Sequence, residues 1–550
     1  MARTYEDLEP TDPDWTRWTG AHVIRRQAHE RGDKVFLIAP EEDRKLTFAQ
    51  VEDLADRTAG GLRRAGAEAG DRVVIMAKNS TQLVVSWFAT AVGDLVEAPV
   101  NTAYEGEFLR HQVQLVAARW VIVDDDLADR FVALRDSLSE VEAFWVIDSN
   151  GGAAAAVERL RAAGWRAEPW DTLPASARLD GPEPDARDLT AVFFTSGTTG
   201  LSKGVSMPNA QMNFFSELTR CLTRFTEDDT WLSVTPLFHG NAQYMAVYPA
   251  LIAGGRVVIR SRFSASRWVD QLREHDVTVT NFLGVMMDFV WKQPERPDDA
   301  DQPLRCVFAA PTASAILDDF RARFGIEAFV EVYGTTETTT PILSPYGEDR
   351  PAGAAGLNAA KWYDVVIVDP ETDMEVPTGE VGEFCVRPRH PWISSLGYFN
   401  MPERTTEVWR NMWFHTGDAV RVDEDGWYYF VDRIKDAIRR RGENISSYEV
   451  EQALLAHPAV AECGVIGVPA DHQAGEDEVM AVIVPDGDVT AEEIWEFCRG
   501  RVPEFAIPRY VRFRKELPMT PSEKIRRNVL RDEAATASYV HDREAARGRA

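Results

Sequence analysis

Cysteine is scarce in this 550-residue chain. Its five thiols (Cys221, Cys306, Cys385, Cys463 and Cys498) are scattered, with no CxxC pair and no histidine beside them at metal-ligand spacing. That distribution excludes a disulfide scaffold and predicts reduced, mostly buried thiols of the kind found in cytoplasmic proteins. Basic residues are also in short supply: 60 Lys and Arg stand against 88 Asp and Glu, a formal charge of −28. A phosphate-backbone footprint needs a basic stripe, and an anionic membrane attracts cations, so nucleic acid and membrane partners are both disfavoured. No apolar run is long enough to cross a bilayer; the best, residues 83–92, stops at Gly93-Asp94. The acidic, polar N-terminus does not read as a signal peptide, and no repeat of solenoid period is present. The expectation is a soluble cytoplasmic protein without membrane insertion.

Apolar residues make up 45% of the chain and charged residues 27%, ordinary values for a globular protein. A single core stops growing at about 250–300 residues, so at least two domains are required. The first half alternates helical and strand patterns. Thr47-Phe-Ala-Gln50 is a capping box, followed by an apolar stripe at Phe48, Val51, Leu54, Ala55 and Leu62. Short apolar runs at 72–76, 120–123, 144–147 and 189–194 suit buried strands, and the alternation predicts α/β layering with largely parallel sheets. Residues 150–188, rich in Ala, Gly and Pro, read as a surface excursion with one helix near 157–163. The strand-like run 427–431 gives way to a charged segment at 432–435, the next boundary. Beyond it, Ser446-x-x-Glu449 caps a helix, and runs near Val465 and at 479–484 suit strands of a compact small domain. Residues from about 532 onward, polar and rich in Arg and Ala, are expected to fray.

The strongest local signal is Thr195-Ser-Gly-Thr-Thr-Gly-Leu-Ser-Lys-Gly204, directly after the 189–194 strand. Three glycines permit tight turns, five hydroxyls can donate hydrogen bonds, and Lys203 brings a mobile positive charge. Together they form a cradle for a polyphosphate. It is not a Walker loop, because Ser202 precedes Lys203 and Gly204 follows it.

This segment resembles the phosphate loop of the adenylate-forming superfamily: acyl- and aryl-CoA synthetases, nonribosomal adenylation domains and firefly-type luciferases. Further motifs follow in that family's order through nearly the whole chain. Ala309-Ala-Pro311 resembles the adenine-side segment, and Tyr333-Gly-Thr-Thr-Glu337 its partner. Trp413-Phe-His-Thr-Gly-Asp418, turn chemistry when taken alone, resembles the ribose-binding segment. Asp432-Arg-Ile-Lys-Asp436 with Arg441-Gly-Glu-Asn-Ile-Ser446 resembles the hinge and the loop after it. Thr520-Pro-Ser-Glu-Lys524 resembles the catalytic-lysine segment.

The resemblance implies a set of roles. Thr195, Ser196, Gly197, Thr198, Thr199 and Lys203 hold phosphate; Ala310, Pro311, Tyr333, Gly334 and Thr335 line the adenine side, with Tyr333 stacking on the base. Thr336 contacts the α-phosphate, Glu337 holds Mg²⁺, and Asp418 accepts from the ribose hydroxyls. Arg433 reaches the ribose or phosphate, Lys435 is the pivot, and Gly442 lets a pantetheine arm approach. Lys524 is catalytic for a simple reason: a carboxylate attacking the α-phosphorus of ATP brings two anions together, and an ammonium stabilises the charge that develops. The implied fold is α/β: a large N-terminal adenylation domain (1–432) of layered α/β subdomains with a β-barrel-like part, and a small mobile α+β domain (433–550).

Pro236-Leu-Phe-His-Gly-Asn241 resembles the wall of the acyl pocket, with His239 flanking the carboxylate and Gly240 leaving room for a flat ring or a branched chain. Asn281-Phe-Leu-Gly284 with Met286 and Met287 forms the opposite wall, or else the two methionines are core behind it. This stretch most resembles the carnitine/crotonobetaine-CoA ligase branch. The sequence departs from the family at Glu523, where glycine is usual, at Ala309 and Ala310, and at Pro208-Asn209 in place of Thr-His. The expected function is an AMP-forming ligase using ATP, Mg²⁺, a small-molecule acid and CoA. Alternatives keep adenylation with a carrier-protein thiol, an amine or nitrite (diazotising an aryl amine), or make the chain a catalytically dead nucleotide-binding regulator.

Overall fold

A computed structural model describes residues 2–179, 181, 183–195, 202–310, 312, 316–434, 438–440, 443–445, 447–469, 477–499, 501–502, 504–519, 524–536 and 541–544. Two large sheets dominate the N-terminal part. The seven-stranded one runs in the order Arg166–Pro169, Ala143–Ile147, Trp120–Asp124, Arg72–Met76, Val96–Pro99, Leu189–Thr195, Lys203–Pro208. All its neighbours pair parallel except the last two strands, which form a hairpin. The apolar runs read as strands are these strands, covered on both faces as parallel sheets require.

The fourteen-stranded sheet changes character along its width. Strands Val35–Ala39, Arg256–Ile259, Thr230–Ser233, Val279–Leu283, Cys306–Ala310 and Ala328–Thr335 pair parallel. From Thr339–Leu343 onward, through Gly356–Asn358, Trp427–Arg433, Trp413–Val422, Gly382–Pro388 and Tyr363–Val368, the pairing is antiparallel. This antiparallel run occupies the place of the expected barrel-like part.

One hydrophobic cluster draws side chains from both sheets, Trp120 and Trp145 from one and Val279, Phe308 and Ile342 from the other. Helix Thr81–Val92 contributes to it. That helix is buried on all sides, which explains its near-continuous apolar sequence without any membrane. No helix among the described residues is long and apolar enough to cross a membrane. Helix Phe48–Ala65 starts at the expected capping box: Thr47 accepts from the Gln50 N–H, and Gln50 reaches back to the Thr47 N–H.

Beyond residue 437, strands Val460–Pro469, Asp477–Pro485, Tyr510–Phe513 and His541–Asp542 form a four-stranded sheet with its own apolar clusters. Two sequence readings need correcting. Of the chain expected to fray from about 532, residues 532–536 complete helix Arg527–Thr536, which buries Leu530 and Ala534 against that sheet, and His541–Asp542 forms an edge strand; 537–540 and 545–550 lie outside the described residues. Residues 150–188 contain helix Ala153–Ala162, but also an edge strand, Arg166–Pro169, anchored by buried Trp165 and Trp170.

Candidate active site

Four of the expected segments leave the carboxyl ends of adjacent parallel strands. The loop with His239 follows Thr230–Ser233, Gly284 follows Val279–Leu283, the adenine-side segment ends Cys306–Ala310, and Tyr333–Glu337 ends Ala328–Thr335. Open parallel sheets bind ligands at this edge. The hairpin of the other sheet supplies the rest, its register placing Thr195 opposite Lys203.

The turn after Tyr333 is tightly determined. A Cβ on Gly334 would fall 1.9 Å from the Thr339 carbonyl oxygen, so only glycine fits. Thr339 itself adopts φ +60°, a strained value for a β-branched residue. It is held there by bonds from its hydroxyl to the Thr338 carbonyl and the Tyr363 hydroxyl. Thr335 accepts from the Thr338 N–H at 3.3 Å, and Gln211 donates to the Thr336 carbonyl at 2.8 Å from a helix buried against the turn. Thr336 and Glu337 therefore sit on a braced platform. Nearby, Glu331 accepts from the N–H of Thr312 and pairs with Arg350 at 2.6 Å, pinning the chain just beyond the adenine-side segment.

Charges from widely separated parts of the sequence meet in front of this platform. Glu337 Oε1 accepts from the Tyr398 hydroxyl at 2.8 Å, and Lys203 Nζ lies 4.4 Å above the Tyr398 ring and 3.3 Å from its oxygen. Asp418 Oδ2 accepts from the Tyr333 hydroxyl at 2.5 Å, and its Oδ1 lies 2.7 Å from Arg433 Nε. Burial pushes the Asp418 carboxyl up, while Arg433, Tyr333 and Lys524 favour its charged form. Burial, reinforced by Asp418, raises the Tyr333 phenol well above its ordinary range, so it remains a donor.

Lys524 is exposed at its surface yet has enough protein around it to lower its pKa. Loss of surrounding water and then Arg433 lower its pKa, while Asp418 and Glu337 oppose the shift. Its field also reaches His239, whose pKa burial and Lys524 pull down to about 4, leaving a neutral imidazole at pH 7. Lys524 is thus near enough to act on both Asp418 and His239.

Of the other expected residues, Gly240 has space: a Cβ there would meet only the Tyr244 ring, at 3.5 Å. Met286 and Met287 resolve toward core, packed with Trp268, Phe282 and Phe320. Ser196, Gly197, Thr198, Thr199, Pro311, Lys435, Gly442 and Glu523 lie outside the described residues, and only the backbone of Ala310 and Gly284 is described.

Sequence reasoning missed Tyr398, Gln211 and a buried cluster behind Asp418. Cys385 and His415 are thirty positions apart yet directly opposite on neighbouring strands, with Sγ 3.3 Å from Nδ1. Glu383 Oε2 lies 2.9 Å from the same nitrogen, and Glu383 Oε1 accepts from the Gly417 N–H at 3.0 Å. Three potential metal ligands converge here. The Arg410 guanidinium, 2.8 Å from His415 Nδ1 and 3.4 Å from Glu383, occupies the cationic role. The cluster serves to brace the Gly417-Asp418 turn from behind, and no local sequence pattern announces it.

Comparison with known proteins places the chain in a family. The AMP-binding enzyme family profile matches residues 24–399, and the AMP-binding enzyme C-terminal domain matches 449–524. The crotonobetaine/carnitine–CoA ligase of Salmonella agona (strain SL483) is 28% identical over 509 residues, covering 91% of this chain and 96% of the relative. Its counterpart from Proteus mirabilis (strain HI4320) is 28% identical over 498 residues, 89% and 94% of the two chains. Among solved structures, the anthranilate CoA ligase AuaEII in complex with anthranoyl-AMP shares the fold, with TM-score 0.83, 23% identity and coverage of 95% and 98%. ATP-bound MatB from Rhodopseudomonas palustris gives TM-score 0.79, 27% identity and 94% and 99% coverage. MenE from Bacillus subtilis, in complex with ATP and magnesium ion, gives 0.76, 25%, and 92% and 98%.

Proposed function

This chain belongs to the AMP-binding enzyme family, and on that premise we infer that it is an AMP-forming acid–thiol ligase: it adenylates a carboxylic acid with ATP, releasing pyrophosphate, and passes the acyl group to CoA. The observation that carries the reading is the meeting of Lys203, Glu337, Asp418, Arg433 and Lys524 around one cleft, although they span more than three hundred positions of sequence.

The roles follow from charge. Lys203 and the hydroxyls and N–H groups of 195–199 hold the phosphates, and Thr336 donates to the α-phosphate. Asp418, paired with Arg433, accepts from the ribose hydroxyls. Tyr333, Gly334, Thr335, Ala310 and Pro311 form the adenine side. Glu337 is the Mg²⁺ ligand, and its all-oxygen, buried carboxylate fits a hard cation that shares phosphate oxygens. The ion, when bound, neutralises phosphate charge. Lys524 offsets the negative charge that develops as the acid oxygen meets the α-phosphorus.

His239, neutral and set at the cleft, flanks the acid carboxylate, with Gly240 and Gly284 leaving width for a ring or a branched chain. The boundary is placed after residue 432. Rotation of 433–550 about Lys435 then withdraws Lys524 and brings Gly442 to the site for thiol attack, a gating step that also keeps water from the mixed anhydride. Use of ATP and CoA implies a cytoplasmic setting.

The test is pyrophosphate release with crotonobetaine, carnitine, anthranilate, o-succinylbenzoate, fatty acids and nitrite, with and without CoA. Pyrophosphate exchange without CoA, and thioester only with it, is the expected result. Turnover with nitrite and an aryl amine would reassign both the acid and the acceptor, and failure to form AMP with any acid would overturn the reading.

A further inference from the structure

The loop that carries His239 is held from behind by a strut outside the reacting groups. Leu237, two positions before His239, has its N–H bonded to Asn79 Oδ1 at 2.7 Å and its carbonyl bonded to Gln243 Nε2 at 2.8 Å. Asn79 also donates to the carbonyls of Thr235 and Arg260, so it ties the loop to the neighbouring chain. Gln243 opens the single π-helical turn Gln243–Val247 that follows Gly240. Such turns concentrate at functional sites because they re-aim side chains within a helix.

The same Gln243 nitrogen donates to Glu97 Oε1 at 2.8 Å. Glu97 lies on the inner strand Val96–Pro99, between Arg72–Met76 and Leu189–Thr195, and is only 1% exposed. Because the Leu237 carbonyl is an acceptor, the Gln243 amide must turn its nitrogen toward it, which fixes the amide orientation. Both amide hydrogens are then used, one on Leu237 and one on Glu97. This leaves two oxygens of the pair without partners, Glu97 Oε2 and Gln243 Oε1, and the buried Tyr244 hydroxyl nearby is unpartnered as well. As an anion, Glu97 could at most accept from that hydroxyl and could offer nothing to Gln243 Oε1, which would stay a buried acceptor without a donor. As an acid, its O–H donates to Gln243 Oε1 and closes a two-bond ring between carboxyl and amide.

We propose that Glu97 is a positioning residue for the acid-binding wall: held as the neutral carboxylic acid, it pairs through both oxygens with the Gln243 amide and so fixes the loop that presents His239. Burial raises the Glu97 pKa to about 8, with Gln243 as the one opposing influence. The titratable group facing it from the packed elements is Tyr244 of the π-turn, itself raised well above its usual range by burial, Glu97 and Tyr248. The strands on either side present Val73 and Ala191 at the same register. The pair therefore opens on the alkaline side: loss of the proton removes the donor to Gln243 Oε1 and leaves an unpaired anion in the wall.

The functional half of this inference rests on the ligase reading; the protonation half does not. Infrared difference spectra of native protein against Glu97→Gln test protonation without any substrate. A protonated-carboxyl band present at pH 7, lost by pH 9 and absent from the variant is expected; its absence from native protein at pH 7 overturns the proposal. Pyrophosphate release, with whichever acid of the panel above turns over best, tests positioning. The native KM for the acid should rise about tenfold from pH 7.5 to 9, while Glu97→Gln stays flat and KM for ATP is unchanged in both. Identical acid KM profiles in the two proteins overturn the positioning role. The swap Glu97→Gln/Gln243→Glu restores the pair with the acid on the other side, and should recover the native KM at pH 7 where Gln243→Ala does not. If no acid turns over at all, the ligase reading fails while the infrared result still stands.

Discussion

Two buried carboxyl groups define two sides of the same cleft, and their surroundings differ. Asp418, on the nucleotide side, has Arg433 at 2.7 Å, the Tyr333 hydroxyl at 2.5 Å and the field of Lys524. Glu97, behind the acid wall, has one amide. Burial pushes both pKa values up, but only Asp418 has cations to oppose the shift. A charged carboxylate can exchange its partners for ligand hydroxyls. A neutral, fully paired one is a strut. The comparison separates groups built to meet a substrate from groups built to hold a wall still.

Removing a cation from the ribose corner should break the first side most severely. Lys524→Ala is expected to lower adenylation by about two to three powers of ten, roughly 3–4 kcal/mol, with thermal stability unchanged. Unaltered pyrophosphate release in that variant would withdraw the role. Asp418→Asn keeps shape and removes charge; KM for ATP should rise about 10- to 30-fold, roughly 1.4–2 kcal/mol, with a smaller change for the acid. Steady-state kinetics with each substrate varied in turn checks the split.

On the wall side, the expected effect is on stability and runs with pH. Glu97 has a folded-state pKa near 8 against an ordinary 4.5, so the native state binds the extra proton in between. Stability conferred by the protonated pair is complete below pH 4.5, falls as pH rises through that window, and is fully lost above about 8. Glu97→Gln, which needs no proton, should therefore gain in Tm relative to native protein as pH rises, by about 2–3 °C at pH 8.5 and hardly at all at pH 5. Equal shifts at both pH values would show that Glu97 is ionised throughout. The smallest effect sharpens the nucleotide side: Glu383→Gln weakens the hold of Arg410 and His415 on the Gly417 turn and should raise KM for ATP about threefold with kcat intact. A kcat change instead would move Glu383 from bracing to chemistry.

What could be read from sequence had local causes. The Thr47 capping box and the β-branched runs that became inner strands state their conformation in a few neighbouring residues. Gly334 is of this kind as well, since its missing side chain is forced by a clash with Thr339 five positions on. The misses lie elsewhere. The edge strands Arg166–Pro169 and His541–Asp542 are too short and polar to announce themselves, and they form because a sheet edge is waiting for them. Tyr398, Gln211 and the Cys385–His415–Glu383 cluster are ordinary residues in ordinary patterns; only strand register and helix docking bring them to the site.

The sequence by itself determined the alternation of helices and strands, the order of the motifs, and the chemistry each side chain could bring, because propensity, capping and charge act over a few residues. Tertiary structure alone decided which charges face one another and which are sealed away. Asp418 and Glu97 are carboxyl groups on inner strands; the motif around Asp418 marks it for a ligand, but nothing nearby in the chain states what either one packs against. Their difference arises from what the fold packs against each: a guanidinium and an ammonium in one case, an amide in the other, in surroundings where removal from water makes that choice decisive.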